Sequence, residues 1–87
     1  MQRILDLGCG KRKVPGSFGV DAMKLEGVDL VWDLNKPLPK KLYNKFDTVH
    51  HHCVLDHIGN PMQFLEECYK CLKKNGKMEF VIDNADY

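Results

Sequence analysis

Ile4-Leu5-Asp6-Leu7-Gly8-Cys9-Gly10 decides how the rest of this chain is read. A short apolar run interrupted by one acid and closed by two glycines has the composition of a buried strand released into a tight turn. Without Cβ atoms at 8 and 10 the backbone can reverse sharply, and a ligand can approach the main chain closely. Gly-x-Gly after a strand also serves purely steric ends, so its meaning depends on the elements C-terminal to it. Residues 18–21 read as a second strand ending on Asp21, and residues 29–33 as a third ending on Asp33. Residues 46–50 begin a fourth, the segment 54–58 follows it, and residues 75–82 form a fifth.

One helix is predicted between the last two strands. Asn60 is a good N-cap, Pro61 suits the first helical position, and Gly76 after Asn75 offers a stop. Phe64, Leu65, Cys68, Tyr69 and Leu72 recur at helical spacing and make the face that covers the sheet, while Glu66 and Lys70 can pair on the wet side. The other connections are too short for the usual crossover helices. About ten residues, including Pro15 and Gly16, separate the first two strands, and the seven between Asp21 and Asp29 suffice for an extended link running back ~23 Å. Poor helical cover beside strands two and three is expected to leave apolar surface there. Asn35-Lys-Pro-Leu-Pro39 is a loop forced into extended geometry by its prolines, and no linker divides the chain, so 1–87 is one domain.

Eighty-seven residues bury only about 60 to 65% of their unfolded surface, which leaves a thin stability margin. The formal charge of +1 gives no global pull toward nucleic acid or an anionic membrane. Lys11-Arg12-Lys13 and Lys36, Lys40, Lys41 and Lys45 are local basic clusters, read as solvated loop surface. No apolar run approaches the ~18 residues of a membrane span and no signal peptide precedes the first strand, so a cytoplasmic location is expected. Cys9, Cys53, Cys68 and Cys71 lack the spacing of a disulfide framework and read as reduced thiols. The Cys68-x-x-Cys71 pair lies within the predicted helix, on the face of Phe64, Leu65 and Leu72, which favours core packing over zinc.

Taken in order, Leu5-Asp-Leu-Gly-Cys-Gly10, Gly19-Val-Asp21, Asp33-Leu34, Phe46-Asp-x-Val49, Val54-Leu-Asp-His-Ile58, Phe64-Leu-Glu66 and the turn at Gly76 resemble the class I S-adenosylmethionine-dependent methyltransferases over nearly the whole chain. The resemblance implies an α/β, Rossmann-like, mostly parallel sheet of about five strands. It is helix-poor and truncated relative to the seven-stranded methyltransferase fold, since Tyr87 comes directly after the fifth strand and no helix precedes the first. The implied cofactor is S-adenosylmethionine. Asp6, Gly8, Cys9 and Gly10 would cradle its methionine portion, Asp21 would accept from the ribose hydroxyls, and Asp33 with Leu34 would stand beside the adenine. Residues at the end of the fourth strand face the sulfonium in this family, which makes His51 a cofactor contact and His52 a candidate general base. A base is needed only when the acceptor carries a proton. Alternation puts His50 and His52 on one face and His51 on the other. Asp56-His57 matches the family's Glu-His, and a helix-start Asp with a capping His accounts for it equally.

Three competing readings use the same residues. Cys9, a histidine of 51–52 and Cys53 could converge as zinc ligands if strands one and four are neighbours, although no local spacing supports a metal. A nicotinamide site would want glycine where Lys13 stands and an acid further on than Asp21. The Asp/Asn-Pro-Pro-aromatic element of amino methylation is absent after the fourth strand. The resemblance implies methyl transfer to an acceptor that the sequence does not identify, by an oligomer or with a partner. The alternative is a non-catalytic S-adenosylmethionine-binding or interaction module. An open edge at the fifth strand points to a homodimer.

Overall fold

Leu5 and Leu7 are wholly buried because their strand, β1 (Ile4–Leu7), is flanked on both sides. A computed structural model describes residues 2–11, 13–52 and 58–81 of the chain. β2 (Phe18–Asp21) pairs with β1 in parallel, and β3 (Leu30–Val31) lies outside β2. On the other side β1 pairs with β4 (Phe46–His52), and β5 (Leu72–Val81) lies outside β4. The order is β3-β2-β1-β4-β5, with every pairing parallel. All carboxyl ends therefore share one rim, and the strand order reverses between β1 and β4, where open α/β sheets hold ligands.

β3 is shorter than the predicted 29–33, although Asp29 N donates to Gly19 O at 2.9 Å and Trp32 N to Asp21 O at 3.0 Å just beyond its two residues. Among their described residues, 8–17 and 22–29 contain no helix, as the short spacings predict. Only a single 3-10 turn (Lys40–Leu42) and α1 (Pro61–Cys71) are helical among the described residues. Cys53 at the predicted end of the fourth strand, and residues 54–57 of the 54–58 segment that follows it, lie outside them.

α1 begins as predicted, with Asn60 Oδ1 accepting from Gln63 N at 3.1 Å and Pro61 at the first position. Its end comes earlier than the expected stop at Gly76. Leu72 is already extended and pairs with Phe46, so the chain enters β5 directly. Gly76 is instead a close-approach residue: a Cβ there would lie 2.9 Å from Lys73 O and 3.0 Å from Asp47 O. Phe64, Cys68 and Cys71 are buried as their spacing predicts, but Tyr69 is 65% exposed. Lys70 pairs with Glu67 at 3.0 Å rather than with Glu66.

Registration sorts the strand residues onto two faces. Leu5, Leu7, Val20, Val49, His51 and Met78 share the face under α1, where Leu38 and Leu42 also join the core. Phe46 joins the same core although it is three residues from Val49, because an irregularity separates Phe46 from Thr48. Arg3 O accepts from both Asp47 N and Thr48 N there, and the alternation restarts. The opposite face carries Asp6, Thr48, His50, Lys77 and Glu79, with His50 Nδ1 3.9 Å from Glu79 Oε1. It is polar over β1, β4 and β5, whereas apolar surface was expected beside β2 and β3. Beside β2 and β3, the large exposed apolar side chains among the described residues are Met23 and Val31.

Candidate functional site

The turn after β1 uses its glycines for conformation: Gly8 (φ 69°) and Gly10 (φ 56°) both lie in the left-handed region. Gly8 N donates to Val20 O at 2.7 Å and Cys9 N to the same oxygen at 3.3 Å, which folds the turn onto the end of β2. Gly10 N then donates to Asp21 Oδ2 at 2.9 Å, and Met23 N to Asp21 Oδ1 at 2.9 Å. Asp21 thus joins the two turns off the carboxyl ends of β1 and β2. Each carboxylate oxygen takes one of these backbone donors and keeps a further acceptor direction.

Asp6 is buried, and its Oδ2 accepts from Val14 N at 2.8 Å, which holds the returning limb of the 8–17 loop over the sheet. Under that limb there is no room for a side chain on β2. A Cβ at Gly19 would lie 2.9 Å from Cys9 Sγ and 2.6 Å from Lys13 Cδ. Lys13 Nζ reaches Asp29 Oδ2 at 3.1 Å, and Gly19 N donates to the same oxygen at 2.7 Å. The Gly19 amide, helped by Lys13, holds the Asp29 carboxyl below its usual range against the opposing effect of desolvation. Burial, with the charges of Asp6 and Asp21, pushes the Cys9 thiol up to about 11. Cys9 is therefore a neutral thiol at physiological pH.

Next to Asp21 along the rim opens a cleft of about 230 Å³ lined by Ala22, Val31, Trp32, Asp33 and Lys36. Trp32 is fixed by its Nε1 donating to Pro37 O at 3.1 Å, and Asp33 Oδ1 accepts from Asn35 N at 2.9 Å. Leu34 packs against the core. The cleft is smaller than the ~300 Å³ at which whole-ligand sites begin, which fits one moiety of a ligand rather than all of it.

The predicted residues thus divide. Asp6, Gly8, Cys9, Gly10 and Asp21 come together at the first turn, and Asp33 stands in the adjoining cleft with Leu34 behind it. His51 lies apart, on the face beneath α1, 1% exposed and edge-on to Phe64 with ring centroids 5.3 Å apart. Burial, with a smaller contribution from His50, pushes its pKa down to about 4, so it is neutral. His52 closes β4 in register with Val81, and its side chain lies outside the described residues, as do Asp56 and His57. Cys9 lies over Gly19, on the face of Asp6, so Cys9 and His51 do not converge on one metal. Among the described residues no three His, Cys, Asp or Glu side chains cluster as metal ligands. Trp32, Val31 and Lys36 are site residues that the sequence patterns do not single out. The usable signal is the chain's one tryptophan standing directly before Asp33.

A parallel sheet of this order, with a glycine turn after the first strand and a carboxylate closing the second, defines the Rossmann-like class of ligand-binding domains. Within that class, the sequence matches the Methyltransferase domain family over residues 2–87, and the chain belongs to it as a class I S-adenosylmethionine-dependent methyltransferase domain. The family generally uses S-adenosylmethionine. No curated protein matches the chain. No helix among the described residues is long and apolar enough to cross a membrane.

Proposed function

We propose that this chain binds S-adenosylmethionine across the 8–10 turn, Asp21 and the Trp32 cleft, and takes part in methyl transfer from it. The observation that carries this reading is Asp21, held by Gly10 N and Met23 N with acceptor capacity to spare, immediately beside an aromatic-walled cleft. The residues fit the cofactor in kind. A carboxylate suits a ribose diol, Val31 and Trp32 give apolar walls to a purine, and Asp33 can accept from its exocyclic amine. The open space around Gly10, where a Cβ would meet no atom within 4 Å, leaves the main chain approachable for the methionine portion along Gly8, Cys9 and Gly10.

When bound, the cofactor supplies an electrophilic methyl group on a sulfonium. The chain's own work is to hold and orient it. Asp21 and the cleft fix the nucleoside, while Asp6 acts one layer behind by holding the 8–17 loop that carries the turn. His51 supports the end of β4 from beneath as a neutral ring, and His52 at the strand's close is the candidate base for a protonated acceptor. Buried thiols at Cys9, Cys68 and Cys71 suit a reducing, cytoplasmic setting. The outer edge of β5 is the surface for a homodimer.

Calorimetry with S-adenosylmethionine and its demethylated product tests the reading. Binding to wild type should be weakened by about 1 to 3 kcal/mol in Asp21→Ala, the scale of losing a charged hydrogen-bond partner. Absence of binding to the folded wild-type chain overturns it. A labelled-methyl assay against cell extract then separates a transferase from a module that only binds.

A further inference from the structure

The near-neutral charge of the chain conceals a separation. Asn44 N donates to Lys70 O at 2.8 Å and Lys45 N to Cys71 O at 3.1 Å, so the segment from the 3-10 turn to β4 is joined to the carboxyl end of α1. Two lysine clusters far apart in sequence thereby become one surface: Lys40, Lys41 and Lys45 with Lys70, Lys73 and Lys74, all exposed. The carboxylates facing it are few. Glu67 is buried and taken up by Leu38 N (2.8 Å), Tyr43 Oη (2.6 Å) and Lys70 Nζ (3.0 Å). Asp47 is shared by Arg3 at 2.7 Å and Lys73 at 3.9 Å, and Glu66 lies exposed on α1. Seven cations, Arg3 and the six lysines, against those three acids leave an excess of four positive charges, whereas the whole chain has a formal charge of +1. The remainder, including Asp6, Asp21 and Asp33 at the opposite rim, is net negative by three.

This pole lies at the amino end of β4, roughly 20 Å of strand away from the cofactor rim. It also carries an aromatic face: Tyr69, 65% exposed, stands in the last turn of α1 beside Lys70. The other large exposed apolar side chains among the described residues are Met23, Val31 and Met62, none of them in this cluster, so the surface has little to insert into a membrane. Lysines spread around an exposed tyrosine are the chemistry that tracks a phosphate backbone while stacking an unpaired base. We infer that this pole binds single-stranded nucleic acid, with Lys40, Lys41, Lys45, Lys73 and Lys74 on phosphates and Tyr69 against a base. The inference does not depend on cofactor binding at the opposite rim.

Fluorescence anisotropy with a labelled single-stranded oligonucleotide of about 12 nucleotides tests it, that length lying within the span such surfaces cover. Affinity should fall linearly with salt on logarithmic axes with a slope of about −2 to −4, as three to five neutralised phosphates require. Lys41→Gln/Lys45→Gln/Lys74→Gln should reduce that slope by about 2. Tyr69→Ala should weaken binding roughly fivefold or more with the slope unchanged, a split that general loss of structure does not produce. Urea unfolding of each variant verifies that it folds. The inference is overturned by absence of binding at low salt, by a triple variant with the wild-type slope, or by Tyr69→Ala binding as wild type. Polyglutamate or anionic phospholipid vesicles displacing the oligonucleotide at equal charge would likewise overturn it, by assigning the surface to an acidic protein or a membrane.

Discussion

Gly19 and Gly76 both stand where a Cβ has no room, but what surrounds them differs. At Gly19 the two closest atoms, Lys13 Cδ and Cys9 Sγ, belong to side chains, that of Lys13 being long enough to shift, and the Gly27 carbonyl oxygen is further off at 3.3 Å, whereas at Gly76 two of the three are carbonyl oxygens of Lys73 and Asp47 within 3.0 Å. Alanine at 76 must therefore displace backbone shared by β4 and β5. Gly76→Ala should cost about 1 to 3 kcal/mol or more, and Gly19→Ala less, as urea unfolding of the two variants will show. Gly8, Gly10 and Asp21 are legible in the sequence because a sharp turn after a buried strand has few residue solutions. The role of Gly19 is not, since its neighbours arrive from the 8–17 loop and nothing local announces them. Asp21 reads in sequence as a ligand-facing acid with a turn-forming Asp as its rival. It makes the turn contact to Met23 N, and the proposed ribose contact is compatible with it.

α1 shows what helical periodicity can and cannot specify. Its start is written in Asn60 and Pro61, while its end is not, because the strand pairing of Leu72 with Phe46, a long-range contact, overrides the stop signal at Gly76. The residue that periodicity hides most completely is Glu67. Next to exposed Glu66 and three residues before exposed Lys70, it is nevertheless 4% exposed and receives Leu38 N, Tyr43 Oη and Lys70 Nζ. Burial pushes its carboxyl up, but these donors outweigh burial and hold it below the usual range. The same contact raises Tyr43 to about 12. Glu67→Ala leaves two of those donors in protein surroundings without their acceptor and should destabilise the fold by about 3 kcal/mol in thermal or urea unfolding. His51, packed on Phe64 of the same helix, gives the element a pH dependence. Its folded pKa of about 4 lies below the ordinary 6.5, so the unfolded chain binds the proton more tightly. The stability this burial confers on the neutral ring is complete above pH 6.5 and is lost as pH falls toward 4. The loss amounts to roughly 3 kcal/mol and flattens below about pH 4. His51→Phe should remove most of that slope; an unchanged pH profile would mean that the ring is solvated.

At the scale of the molecule, the sheet has one apolar face and one polar face, and this reshapes the case for association. Counting residues between strands is enough to foresee a parallel sheet poor in helices, because chain length limits what can cross over. It cannot foresee that the face opposite α1 carries Thr48, His50, Lys77 and Glu79, since the irregularity at 46–48 resets which side chains point where. A second copy therefore has little reason to cover that face over β1, β4 and β5. The outer edge of β5 remains, with no strand beyond it among the described residues. Its charges suit a symmetric pairing. In an antiparallel contact with the two-fold axis through Met78, Lys77 of each protomer stands opposite the partner's Glu79 on the polar face, and Met78 meets its own copy on the other. Such an arrangement gives two cross-strand ion pairs of the kind that set register, each contributing about 0.2 to 1 kcal/mol. Light scattering at micromolar concentration should then give twice the 10.0 kDa mass of the chain. Lys77→Glu, which places like charges opposite one another, should shift the population toward monomer, and Lys77→Glu/Glu79→Lys should restore the dimer. A wild-type monomer would show that β5 closes its own edge, and a dimer indifferent to both variants would place the contact elsewhere.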